Sequence, residues 1–170
     1  AVIGAALEAT KDDWLVTEVS SFQLETTRKF RPLVSAILNL TPDHLNRHHT
    51  MEAYGAAKAK IFANQNKEQY LIINYDDKLC FDLAKDAECT VVPFSRKSKL
   101  DYGVILENNK IYVNDKDNKV YICDKRDIRI IGDHNVENVL AAVGICYFAG
   151  IAKEVIAEGI RNFGGVEHRI

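Results

Sequence analysis

Three short apolar runs limit what this chain can become. WLVTEV (14–19), VSAILNL (34–40) and YLIINY (70–75) are nearly continuous in Val, Ile, Leu and aromatic residues. Each closes on a polar group: Glu18, Asn39 ahead of Thr-Pro-Asp-His, and Asp76-Asp77. A strand with one face in water alternates apolar and polar residues, whereas a strand covered on both faces does not. Runs of this length, parted by helical periodicity, predict parallel strands with helices over both faces. TVVPF (90–94) reads as a fourth, shorter strand, and Pro93, which has no N–H for a ladder, places it at an edge or at its own end. The intervening helices are predicted at 51–65 and at about 77–85.

After Ser95 the period shifts to two. YGVIL, KIYVN and KVYIC alternate and are separated by the turn-forming clusters ENN and DKDN, with RDIRII as a candidate fourth strand. Gly132 ends this antiparallel meander, which occupies about 101–131. A helix over 135–148 follows, apolar at Val136, Val139, Leu140, Val143 and Tyr147, and a last helix is predicted over 151–163. The fold class is therefore α/β: a mostly parallel sheet flanked by helices, with a small antiparallel meander attached. Its 170 residues read as one domain, 1–170, large enough to bury a core. The chain starts in a helix-like run without methionine and stops at EHRI, so an excised piece of a longer protein is expected.

A formal charge of -2 provides no basic field for nucleic acid and no polybasic membrane patch. No apolar run approaches the length of a membrane span, and no signal peptide is recognisable. Cys80, Cys89, Cys123 and Cys146 form no CxxC pair, which predicts buried free thiols in a reducing cytoplasm and no zinc site.

Ligands of open parallel sheets gather at the carboxyl ends of the strands. Glu18 lies at one such end with Ser20-Ser21 behind it, and Asp43 and His44 follow another, with Arg47, His48 and His49 close by. A carboxylate with an imidazole is a start for a divalent cation site. Each residue also has an ordinary reading: Glu18 and Asp43 as helix caps, His48 and His49 as solvated loop residues. Lys58 stands out in YGAAKAKIF. On a helical wheel it falls among Met51, Tyr54, Ile61 and Phe62, while Lys60 points away. Two readings fit it: snorkelling along Tyr54 and Phe62, or withdrawal from water as a neutral amine that adds carbon dioxide. The resulting carbamate is an anionic oxygen ligand for Mg²⁺. Asn135 and Asn138, three apart at a helix start, share a face where backbone N–H groups favour anions and amides can pair with a purine edge. Capping accounts for one asparagine but not both.

EVSSFQLE (18–25), ILNLTPDHLNRH (37–48), YGAAKAKIF (54–62), GDHNVENVLAA (132–142) and GVEHRI (165–170) occur in this order. Together they resemble the P-loop/Rossmann-like central domain of the Mur ligases of peptidoglycan synthesis. SSFQLE is most similar to the branch that joins D-glutamate to UDP-N-acetylmuramoyl-L-alanine. The resemblance implies an ATP- and Mg²⁺-dependent amide ligase of the bacterial cytoplasm, working through an acyl phosphate. It implies Glu18 as ligand of the magnesium on the ATP phosphates, His44 as ligand of a second magnesium, and Lys58 as the carbamylated lysine beside it. It further implies Asn135, Asn138 and Arg169 on the nucleotide, with Asn138 near the adenine, and Ser20 and Gln23 along the muramoyl substrate.

Departures from the family pattern are equally specific. No G-x-x-G-K-[ST] phosphate loop is present, the N-terminal UDP-binding and C-terminal domains are not recognisable, and Asn46 stands where aspartate is common. The chain alone is accordingly expected to bind ATP poorly and to lack ligase activity. Two other readings remain at this level: a metal-dependent phosphohydrolase using Asp43, His44 and His48, and a non-catalytic nucleotide-binding domain.

Overall fold

The computed structural model describes residues 2–165, apart from the side chains of Val2 and Ile3. After helix α1 (Val2–Glu8) and the short α2 (Ser21–Glu25), the chain builds one six-stranded sheet in sequential order. Strands β1 (Val34–Ile37), β2 (Tyr70–Asn74), β3 (Thr90–Ser95) and β4 (Gly103–Glu107) run parallel. Strands β5 (Lys110–Asp115) and β6 (Asn118–Asp124) return antiparallel and extend the same sheet. The predicted fold class and meander are both present.

The continuous apolar runs have the expected cause. In β2, Leu71, Ile72 and Ile73 are all fully buried. Ile72 packs into a core on one face with Val92, Phe94, Val104 and Leu140, and Leu71 and Ile73 pack into a second core on the other with Ile37, Tyr54, Phe62 and Cys80. Helix α6 (Asp133–Phe148) covers the first face, with α7 (Lys153–Asn162) beside it. Gly144 lets α6 approach closely, since a Cβ there would come within 3.0 Å of Ile72. Helices α3 (Leu45–His48), α4 (Met51–Ala59) and α5 (Lys78–Asp82) belong to the second face. All four cysteines are free, and burial pushes the Cys80 thiol up to about 12 and that of Cys123 up to about 11.

Several expectations need correction. Residues 14–19 form no strand; they lie in an irregular segment with Trp14 and Leu15 exposed and Val16 at 90% exposure. Strand formation needs a neighbour to complete the ladder, and β1 pairs with β2 alone among the described residues. Strand β3 is not at an edge but between β2 and β4. Pro93 is accommodated because the ladder to β4 begins only at Phe94. Beside it, Gly103 sits at φ +120°, where a Cβ would be 2.1 Å from the Pro93 carbonyl oxygen. RDIRII is not a strand: Asp124 and Asp127 close a capping box around a 3₁₀ turn at Lys125–Asp127, which leads the chain off the sheet. Helix α4 ends at Ala59 rather than near 65, tightening into i→i+3 bonds from Ile61 to Lys58 and from Phe62 to Ala59.

Candidate functional site

The loops at the carboxyl ends of β1, β2 and β3 are tied together by two adjacent aspartates. Asp77 caps α5 by accepting from the Cys80 N–H at 3.0 Å, and its other oxygen accepts from the Leu40 N–H at 2.8 Å. Asn74 donates to the Leu38 carbonyl at 2.9 Å. The stretch leading from β1 to His44 is thus held from the end of β2. Asp76 does the same for β3, accepting from Ser95 Oγ at 2.6 Å and from the backbone N–H groups of Arg96 and Lys97 at 2.8 and 3.2 Å.

His44 opens α3 in the left-handed region at φ 53°, with its N–H on Asp43 Oδ1 at 2.7 Å and its Nε2 3.3 Å from Asp43 Oδ2. Its ring lies 4.8 Å from that of Phe22 and 6.4 Å from that of Tyr54. Thr50 caps α4 through the Ala53 N–H at 3.1 Å, and this start fixes the phase that buries Tyr54. Lys58, one turn further on, is half-buried and holds Nζ 5.0 Å over the Tyr54 ring. Its amine is therefore turned onto the aromatic face rather than carried past it, and His44 and Lys58 share one ring. Lys60 points outward as predicted, but it is engaged, donating to the Glu25 carbonyl at 2.6 Å.

Glu18 is exposed in the irregular segment three residues before the start of α2. Ser20 and Gln23 form a capping box there: Ser20 Oγ accepts from the Gln23 N–H at 3.3 Å, and Gln23 Oε1 accepts from the Ser20 N–H at 2.8 Å. Both residues thus have a local task in shaping α2. His48 is not the solvated loop residue expected. It is buried at 7% exposure, with Nε2 3.0 Å from Ser21 Oγ and Nδ1 3.4 Å from Glu25 Oε1. Both nitrogens are occupied, so the cluster of Asp43, His44 and His48 required by a phosphohydrolase is not assembled. Nor could any group of three His, Cys, Asp or Glu side chains among the described residues hold a metal ion. The Arg47 guanidinium, 2.7 Å from Glu25, holds the Glu25 carboxyl below the usual carboxylate range.

The second cluster lies at the start of α6. Gly132 is the N-cap at φ 108°, without a side-chain cap, so neither Asp133 nor Asn135 serves as the predicted cap. Asn135 Nδ2 donates to the Ile131 carbonyl at 2.7 Å, and Asn138 Nδ2 reaches Asn135 Oδ1 at 3.4 Å, so the two amides do share a face. Arg96 ties this turn to the end of β3 through Asp133 at 3.1 Å and Glu137 at 3.2 Å. A cavity of about 230 Å³ opens beside it, lined by Lys125, Ile128, Ile130, Ile131 and Val136. Arg169, with His168, lies outside the described residues. Asp76, Asp77 and Arg96 were not among the predicted site residues, although the Asp-Asp pair closing an apolar run was a visible signal; His48 was named only as a ligand in the phosphohydrolase reading.

An open, mostly parallel α/β sheet with its polar residues gathered at the strands' carboxyl ends has the architecture of a nucleotide-binding domain. The chain belongs to the Mur ligase middle domain family, whose description matches residues 4–146. It is 47% identical over 169 residues to the UDP-N-acetylmuramoylalanine--D-glutamate ligase of Thermoanaerobacter sp. strain X514, covering 99% of this chain and 37% of that one. Against the ligase of the same name from Clostridioides difficile strain 630 it is 49% identical over 168 residues, covering 99% and 37%. The chain thus spans a little over a third of the length of these relatives. Among solved structures it is similar in fold to MurF from Acinetobacter baumannii, with a TM-score of 0.62 and 20% identity over 82% of this chain and 31% of that one. A pseudomurein peptide ligase type C from Methanothermus fervidus gives a TM-score of 0.57 and 18% identity over 79% and 34%.

Proposed function

We propose that this chain is the central domain of an ATP-dependent ligase that joins D-glutamate to UDP-N-acetylmuramoyl-L-alanine in the bacterial cytoplasm. The observation carrying this reading is the 47% identity, over 99% of the chain, to ligases named for those two substrates. In the reaction the substrate carboxylate attacks the terminal phosphorus of ATP, and ADP leaves. The amine of D-glutamate then attacks the acyl phosphate carbon, phosphate leaves, and the amine's surplus proton passes to water. Such steps are accelerated chiefly by positioning and charge neutralisation.

The donor set suits a hard divalent cation. Glu18 would hold one magnesium, and His44 a second together with Lys58, the last as a carbamate formed when its neutral amine adds carbon dioxide and releases a proton. Bound magnesium supplies neutralisation of phosphate charge. The Tyr54 ring keeps the Lys58 amine turned inward, and Asp43 holds the backbone turn that presents the His44 imidazole. Asn135 and Asn138 offer amide donors and acceptors to a nucleotide at the start of α6, with Arg169 reaching it from the chain's end. Ser20 and Gln23 would shape the muramoyl side of the site through the α2 cap. Activity would require the parts of the longer relatives that this chain does not span.

The test uses the full-length polypeptide. Lys58→Ala should lower ATP- and substrate-dependent phosphate release on the order of 10³-fold, with partial rescue by added short carboxylates. Wild-type turnover in that variant overturns the reading, as does phosphate release by residues 1–170 alone.

A further inference from the structure

We infer that His48 is the positioning residue that aligns His44 and Lys58, itself touching neither metal nor substrate; this rests on the metal-side reading of that pair. Its ring stacks on Phe22 at 5.5 Å and 6°, and meets Tyr54 at 5.2 Å and 33°. Those are the two rings against which His44 lies, and Tyr54 is also the ring beneath the Lys58 amine. His48 therefore packs, as His44 does, against both supports of the pair.

Its orientation is set by polar partners at both nitrogens. Nδ1 lies 3.4 Å from Glu25 Oε1, within ion-pair reach, and Nε2 is 3.0 Å from the Ser21 hydroxyl, which can donate or accept. Glu25 is in turn held by Arg47, whose guanidinium lies 5.3 Å over the outer part of the Phe22 stack. Serine, histidine and glutamate in this connectivity resemble a nucleophilic triad, but Ser21 is 4% exposed in the first turn of α2, with no route for an acyl substrate. The relay orients a ring and activates nothing.

The backbone supplies the reason such an anchor is needed. Helix α3 is a single turn bounded by His44 at φ 53° and His49 at φ 67°, both non-glycine residues in positive φ. Conformations of that kind persist only where the surroundings over-determine them. His48 is the buried residue of that turn, and its contacts with α2, beside the Arg47–Glu25 pair, tie the turn down. Side chains that orient metal ligands in this way typically account for 10–100-fold in metal affinity or activity.

The experiment again uses the full-length enzyme, with His48→Gln and Ser21→Ala beside His44→Ala and Lys58→Ala. Three quantities are measured: manganese binding by electron paramagnetic resonance, labelled-bicarbonate incorporation at Lys58, and the Mg²⁺ dependence of turnover. For folded His48→Gln, manganese affinity and the Mg²⁺ midpoint should weaken by about 10–100-fold, labelling at Lys58 should fall, and the KM for the UDP substrate should hold within about twofold. Ser21→Ala should shift the same quantities severalfold, and it decides the matter if His48→Gln does not fold. A folded variant with lowered melting temperature but unaltered metal affinity and labelling overturns the inference and leaves His48 purely structural. If His44→Ala and Lys58→Ala themselves leave metal binding unchanged, the metal-side reading fails instead.

Discussion

The two polar clusters at the carboxyl edge of the sheet are constructed differently. On the α2–α4 side, Phe22, Tyr54 and His48 form an aromatic socket, and its one strong ion pair, Arg47 with Glu25, lies at the rim. On the α6 side the structure is held by charge: Arg96 links Asp133 and Glu137, and Asp76 gathers donors from three successive residues. The socket packs a half-buried lysine and an exposed imidazole against one shared ring. Under the proposed function, the charge-strapped helix start would offer amides and backbone N–H groups to the nucleotide, which suits binding more than chemistry. On the proposed function, damage to the first cluster should appear in kcat and damage to the second in KM.

The largest effect tests whether the clusters share one folding unit. Leu140 is fully buried under α6, and Leu140→Ala should cost about 3 kcal/mol, seen as a lowered urea midpoint. Unfolding should remain a single transition; two transitions would make the clusters separate units and break the comparison. Next, Asn138→Ala in the full-length enzyme should raise the KM for ATP about tenfold, or roughly 1.4 kcal/mol, with kcat within about twofold. A fall in kcat as large as that expected for Lys58→Ala would erase the distinction. Smaller again, Thr50→Ala removes the cap of α4 and should destabilise by about 1 kcal/mol, measured by thermal unfolding, while the KM for ATP stays constant.

The weakest lever is pH. Glu25 has a folded-state pKa below its ordinary 4.5 because Arg47 donates to it. Its contribution is therefore present above pH 4.5 and is lost as pH falls through the lower folded value. It should be small, since both groups are open to solvent. Denaturation midpoints measured on either side of pH 4.5 should decline more in the parent than in Arg47→Ala, and identical slopes would remove the rim pair from the description of the socket.

Legibility was uneven for physical reasons. YLIINY and WLVTEV look alike as sequences, yet the first is the buried second strand and the second, largely exposed, joins no strand ladder. Composition records the tendency of a run to be covered; a strand also needs a neighbour. The inward lysine was legible because one helix face is a local, periodic property, and the shared face of Asn135 and Asn138 was legible for the same reason. His48 was not legible. Its partners Ser21 and Glu25 on α2 and Tyr54 on α4 come from two other segments, and nothing in RHHT distinguishes the buried histidine from its exposed neighbour. Pro93 misled because its cost depends on where the next strand begins, which is a matter of register.

By itself, the sequence determined the alternation of strands and helices, the antiparallel meander, the family, and the inward phase of Lys58, since these follow from spacing along the chain. Only the tertiary structure decided that β3 is internal, that 14–19 forms no strand, and that one buried histidine joins the rings beneath His44 and Lys58. Those outcomes depend on contacts between residues far apart in sequence, and the burial and hydrogen bonds that settle them exist only once the sheet has formed.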